Sequence, residues 1–138
     1  MADPRDPARR RPALTSGPGR LLLFFYGLLA VAATGRSAYQ LAVKFHDAPT
    51  AYLLSALAAV IYIAAFVALL RHARAVAAVA CSIELVGVLV VGTLSYVSPH
   101  DFPDATVWSG YGSGYGYLPA VLPILALIWL RRVPVPPA

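Results

Sequence analysis

Residues 75–97 read AVAAVACSIELVGVLVVGTLSYV, twenty-three residues with no proline, no basic group and a single acid, Glu84. As a helix rising about 1.5 Å per residue, this stretch is about 34 Å long and covers a hydrocarbon core of about 30 Å. The whole chain agrees with a bilayer as its solvent. Of its 138 residues 59% are apolar and only 12% charged, and the mean hydropathy is +0.70. An ordinary soluble domain is about 45–50% apolar and about 25% charged, so most soluble classes are excluded. A single cysteine, Cys81, excludes an intrachain disulfide framework and a cysteine-based zinc site.

Three further apolar runs flank the first. Residues 21–43, LLLFFYGLLAVAATGRSAYQLAV, are long enough to span, although their second half is polar for a span. Residues 51–70 are entered through Pro49, whose missing N–H would lack an intrahelical partner at a helix start. The last run, 118–130, is short, so its span is set at about 115–130 by drawing on the preceding SGYGSGYGY. With spans at about 21–43, 51–70, 75–97 and 115–130, the expected fold is an all-α membrane protein, an antiparallel bundle of four transmembrane helices over 20–132. The flanks read as disordered tails: 1–19 holds four prolines and four arginines with little to bury, and 133–138 follows a double-arginine stop with three prolines.

Positive residues resist translocation, so the loops richest in Lys and Arg mark the cytoplasmic side. Nine of the eleven basic residues fall on one side of this alternation: Arg5, Arg9, Arg10, Arg11 and Arg20, then Arg71 and Arg74, then Arg131 and Arg132. Arg36 and Lys44 alone fall on the other. Both termini are therefore expected in the cytoplasm, with the chain in the plasma membrane. A basic N-region, the run 21–33 and Ala30-Val31-Ala32 also fit a signal peptide, whose cleavage would leave three spans. The apolar residues that continue through Val43 favour an uncleaved first span.

Glu84 lies about nine residues, roughly 14 Å, above the cytoplasmic end of its run, close to the midplane. An acid there costs about 2.5–3.5 kcal/mol to insert, so it faces the bundle interior and is a functional candidate by default. Ala77, Ala80, Cys81, Gly87 and Val88 or Val91 share its face and let another helix come close. Tyr62 stands at nearly the same depth on the second run and is the expected hydrogen-bond partner. Glu84 reads either as the proton site of a carrier or as a protonated brace that holds two helices in register.

Arg36, Gln40 and Lys44 recur at helical spacing and form a polar stripe on the outer half of the first helix. Arg36 either snorkels outward or pairs with Glu84, about 9 Å away in depth, through tilt or a bridging water. The Gly-rich entry to the fourth run, with Pro119 and Pro123, descends on the same outer half. Irregular backbone at that depth survives only where protein covers it or a watery cavity receives it. Arg36, Gln40, Tyr111 and Tyr115 are thus candidates for a polar pocket open to the exterior, while Trp108, Tyr111, Tyr115 and Tyr117 also fit an interfacial aromatic belt. His46, His72 and His100 lie in separate loops without metal-ligand spacing, and no P-loop, dinucleotide fingerprint, nucleophile elbow or HExxH occurs.

TGRSAYQ at 34–40, CSIELVGVLVVGTLS at 81–95 and FPDATVWSGYGSGYGYLPAVLPILALIWLRR at 102–132 resemble small integral membrane proteins of actinobacteria, which implies four plasma-membrane helices and no particular activity. Small multidrug-resistance proteins are similar in length and rely on one buried Glu, but theirs lies in the first span and Glu84 in the third. Thr106-Val107 with Gly110-Tyr111-Gly112 looks like the TVGYG filter of potassium channels, interrupted by Trp108-Ser109. The expected function is that of a non-catalytic accessory or assembly component of a larger membrane complex; the alternative is a small proton-coupled transporter. Its expected partners are the bilayer and a membrane protein or a second copy, with no nucleic acid, cofactor or metal.

Overall fold

The computed structural model describes residues 17–102 and 105–132, so most of both tails lies outside the described residues. The described chain is all-helical, with no strand. It comprises α1 (Pro18–Val43), α2 (Pro49–Leu70), α3 (Arg74–Val97) and α4 (Leu118–Arg132), with short 3-10 segments at Pro99–Asp101 and Ser109–Tyr115. Helices α1, α2 and α3 are each long and apolar enough to cross a membrane. Helix α4 has 15 residues and meets Ser109–Tyr115 at a bend of 96°; taken together, the bent pair is a fourth candidate span.

The helix boundaries follow from local chemistry. Pro18 and Pro49 occupy the first turns of α1 and α2, where a missing N–H costs nothing, so α1 begins inside what the sequence assigns to the tail. Helix α2 ends in a Schellman turn without glycine. His72 takes φ +57, its N–H donates to the Leu69 carbonyl at 3.3 Å, and the Ala73 N–H donates to the Ala68 carbonyl at 2.8 Å. Three residues, Arg71–Ala73, thereby reverse the chain into α3. The fourth span differs from its expected start: residues 115–117 are not part of the helix, because Tyr117 and Gly116 both take positive φ and turn the chain before Leu118.

Each helix buries one face at three- and four-residue spacing: Leu22, Tyr26, Leu29, Ala33, Ser37 and Gln40 on α1; Ala77, Cys81, Glu84, Val88 and Val91 on α3. Large apolar side chains such as Phe24, Val31, Leu57, Val60 and Val86 point outward. The interior is instead rich in alanine, with Ala33, Ala58, Ala65, Ala77 and Ala126 fully enclosed. In lipid the outside is as apolar as the inside, so helices associate by close backbone approach over small residues rather than by hiding apolar bulk. Helix α1 packs on α2, α2 on α3 and α3 on α4, while α1 and α4 pack only loosely. The start of α3 meets the end of α4, where the Arg74 guanidinium donates to the Leu130 carbonyl.

Ala58→Leu, which forces a branched side chain into an enclosed position, should destabilise the bundle by about 1–3 kcal/mol. Leu57→Ala, on the neighbouring outward face, should stay within about 0.5 kcal/mol. Unfolding of the purified chain in mild detergent checks both values.

Candidate functional site

Glu84 stands ten residues into α3 and is fully buried. Its Oε2 accepts a 2.8 Å hydrogen bond from the Tyr26 hydroxyl, which comes from α1 on the opposite side of the interior. That hydroxyl has one proton and gives it to the carboxylate, so the Cys81 thiol, 3.4 Å from the Tyr26 oxygen, serves as the donor there. The second carboxyl oxygen, Oε1, is buried with no hydrogen-bond partner. The partner expected from sequence, Tyr62, is instead engaged elsewhere: its hydroxyl accepts a 2.9 Å bond from the indole N–H of Trp108. The Tyr26 and Tyr62 rings lie side by side, centroids 6.5 Å apart, so Tyr62 borders the acid without bonding to it.

Trp108 does not belong to an interfacial belt. It is 2% exposed and lies against α3 at Gly87, where a Cβ would come within 2.6 Å of the indole ring. Five residues further along α3, Gly92 receives the Tyr111 ring in the same manner, with a Cβ position 2.3 Å away. These two glycines are notches that admit the inward-folded chain at 105–117. Membrane-depth backbone must satisfy its polar groups within the protein, and this segment does so with side chains. The Val107 N–H donates to Ser55 of α2 at 3.2 Å and the Gly110 N–H to Ser95 of α3 at 3.0 Å. Thr106 Oγ1 accepts from the N–H groups of Trp108 and Ser109 at 3.1 and 3.0 Å. Gly110, Tyr111 and Gly112 all take positive φ, which gives the segment its tight turn.

The residues expected to line an outer polar pocket divide between two places. Arg36 donates to the Ala105 carbonyl at 2.8 Å and stands 6.0 Å over the Tyr115 ring, so these two do meet. Arg36 therefore serves the loop rather than Glu84. Tyr111 goes to α3, with its hydroxyl 2.9 Å from Thr93 Oγ1 and its ring beside Tyr96. Gln40 is buried near the end of α1, its Oε1 without a partner. Of the two prolines, Pro119 lies in the first turn of α4 and removes no helical bond; Pro123 removes the one that would reach the Pro119 carbonyl.

Sequence reasoning missed Tyr26, Ser55, Ser95 and the inward position of Trp108. A signal for Tyr26 exists: counted from the start of α1 it lies about 12 Å deep, close to the depth of Glu84. Ser55 is likewise a single serine on the enclosed face of α2, beside the two tyrosines Tyr52 and Tyr62. Among the described residues, no group of three or more His, Cys, Asp or Glu is placed to hold a metal. No protein-family model matches the chain, and neither a curated protein nor a solved structure matches it.

Tyr26→Phe leaves the Glu84 carboxyl wholly unpartnered and should cost about 1–3 kcal/mol of stability. In double-mutant cycles with Glu84→Ala, which removes the acceptor, Tyr26→Phe should show a coupling energy of about 0.5 kcal/mol or more, whereas Tyr62→Phe should be nearly additive. Gly87→Ala should displace Trp108, seen as a change in indole fluorescence together with a lower unfolding midpoint.

Proposed function

We propose that the chain is a four-span antiparallel plasma-membrane protein with both ends in the cytoplasm, and that it serves, without catalysis of its own, as an accessory or assembly component of a larger membrane complex. The texture it shares with small actinobacterial membrane proteins agrees with a bacterial source. Topology is supported by the charge pattern, in which Arg20, Arg71, Arg74, Arg131 and Arg132 all flank one side.

One observation carries the choice of role: Glu84 is enclosed and tied to the opposite helix by Tyr26, beside a Trp108–Tyr62 bond that holds the 105–117 segment in place. A carrier has to open its acid to each side in turn. Here Ser55, Ser95, Thr106 and Arg36 bond to the inward-folded segment, which is the arrangement of a brace. A bundle stiffened in this way offers its neighbours a fixed surface.

The second reading, a proton-coupled carrier with Glu84 as the proton site, is favoured by the buried and unpartnered Oε1. A carboxyl oxygen without a partner can take up or release a proton without breaking an existing bond. The two readings separate on Glu84→Gln. As a brace, Gln keeps an acceptor for Tyr26, and co-purification with a membrane partner in mild detergent should persist. As a proton site, Gln should abolish proton flux in vesicles while the chain stays folded. A native chain that always purifies alone would count against the accessory role.

The topology is checked by cysteine labelling with a membrane-impermeant maleimide. His100→Cys should label in intact cells and His72→Cys only after permeabilisation, while buried Cys81 contributes no background.

A further inference from the structure

Helices α1 and α4 are the least closely packed neighbours in the bundle, and a recess of about 440 Å³ lies between them. Its walls are apolar along most of their length, with Leu21 and Phe25 on one side and Val121, Leu122 and Leu125 on the other. At one end the character changes: Pro18, at the start of α1, and Arg132, at the end of α4, both line the recess. From Arg132 to Leu118 the recess follows α4 for about 21 Å, more than the roughly 15 Å of half a hydrocarbon core.

We infer that this recess is a binding site for an anionic glycerophospholipid of the leaflet where α1 begins and α4 ends. One acyl chain lies along Phe25, Val121, Leu122 and Leu125, and the phosphate meets Arg132. Charge complementarity identifies the occupant. The mouth combines the Arg132 guanidinium with the positive end of the α1 helix dipole, although Pro18 has no N–H and the Arg20 and Leu21 N–H groups already bond the Gly17 carbonyl, so the guanidinium is the main attraction. The opposing half-charge at the α4 C-terminus is reduced there, since Arg74 donates to the Leu130 carbonyl. A second copy of this chain would bring apolar helix faces to the recess, while the acids among its described residues are the buried Glu84 and, in the loops at the opposite end, Asp47 and Asp101.

Trp129 adds an independent observation. It lines the recess one helical turn, about 4.5 Å, below Arg132. Its indole N–H is buried and has no acceptor. Buried donors are nearly always satisfied, and an orphan in a recess marks a missing partner. In a glycerophospholipid the ester carbonyls lie a few ångströms below the phosphate, at the level of Trp129. Apolar trough, buried donor and basic mouth thus follow the order of acyl chain, ester and phosphate.

The test is native mass spectrometry of the full chain, released from micelles that contain phosphatidylglycerol and phosphatidylcholine of identical acyl chains in equal amounts. The native chain should retain phosphatidylglycerol about fivefold more than phosphatidylcholine, the factor that one basic residue near an anionic surface contributes. Arg132→Gln should abolish that preference. Trp129→Phe keeps a ring but loses the donor, and should weaken retention of both lipids severalfold with the preference intact, since both carry the same esters. Leu125→Trp, at an outward position that tolerates bulk, should fill the trough and release both. Equal retention of the two lipids by the native chain overturns the inference. So does a dimer, free of lipid, that dissociates in Leu125→Trp.

Discussion

The bond between the Tyr26 hydroxyl and Glu84 Oε2 crosses the bundle from α1 to α3. These helices are not close neighbours: α1 packs on α2 and, loosely, on α4, while α3 packs on α2 and α4. The two side chains therefore meet across the centre, and they set how far apart the diagonal helices stand. A shorter acid could not reach, and a bulkier residue at Ala77, Ala80 or Ala33 would push the backbones apart. The cost of an acid near the midplane is what gives the bond its authority. Any arrangement that separated Tyr26 from Glu84 would leave a carboxyl group unpartnered in a medium that offers no water, a penalty of about 1–3 kcal/mol.

The half of the bundle toward residues 105–117 is organised by the same constraint applied to backbone. Residues 105–117 come inward because Trp108 and Val107 find enclosed positions on α2 and α3, and they can stay only because hydroxyls receive their N–H groups. Ser55, Ser95, Thr106 and Ser109 are each small enough to be carried by a lipid-facing sequence without spoiling its insertion. Together they do the work that water does for a soluble loop. Glycine supplies the space: Gly87 and Gly92 let two aromatic rings lie directly on the α3 backbone. Fixing Trp108 in turn fixes Tyr62, so the ring beside Glu84 is held by a residue forty-six positions away in the chain.

Much of this was legible in the sequence, and the part that was not has a definite reason. Apolar length and the placement of arginines gave the helical segments to within a few residues, since membrane thickness is a one-dimensional constraint. Counting residues also placed Glu84 at mid-depth on a face of small side chains, which the structure shows as Ala77, Ala80, Cys81 and Val88. Depth alone does not choose between Tyr26 and Tyr62, both of which lie about 12 Å from the ends of their helices on the α3 start side. The choice depends on rotation about the helix axes and on the competing claim of the Trp108 N–H on Tyr62. In the sequence Trp108 fits an interfacial belt, although the Gly-rich pattern around it does announce irregular backbone at depth. For the same reason Arg36 reads from sequence either as snorkelling outward or as a partner for the acid, whereas its length is spent on the Ala105 carbonyl and the Tyr115 ring.

The two halves of the bundle are consequently secured by different means. Toward the loop at 105–117, hydrogen bonds from that segment knit α2, α3 and, through Arg36, α1. Toward the other end, where α1 begins and α4 ends, the contact between α3 and α4 is closed by Arg74 on Leu130, and α1 and α4 remain apart. With 15 residues and a 96° bend before it, α4 reaches only part of the way along α1. Pro123 leaves the Pro119 carbonyl without its helical donor at the upper end, so the helix is anchored at its start by Pro119 on Gly112 and at its end by Arg74. The recess between α1 and α4 lies where both helices are present, from Pro18 to Phe25 and from Leu118 to Arg132, so it follows from how loosely these two helices pack and not from the length of α4.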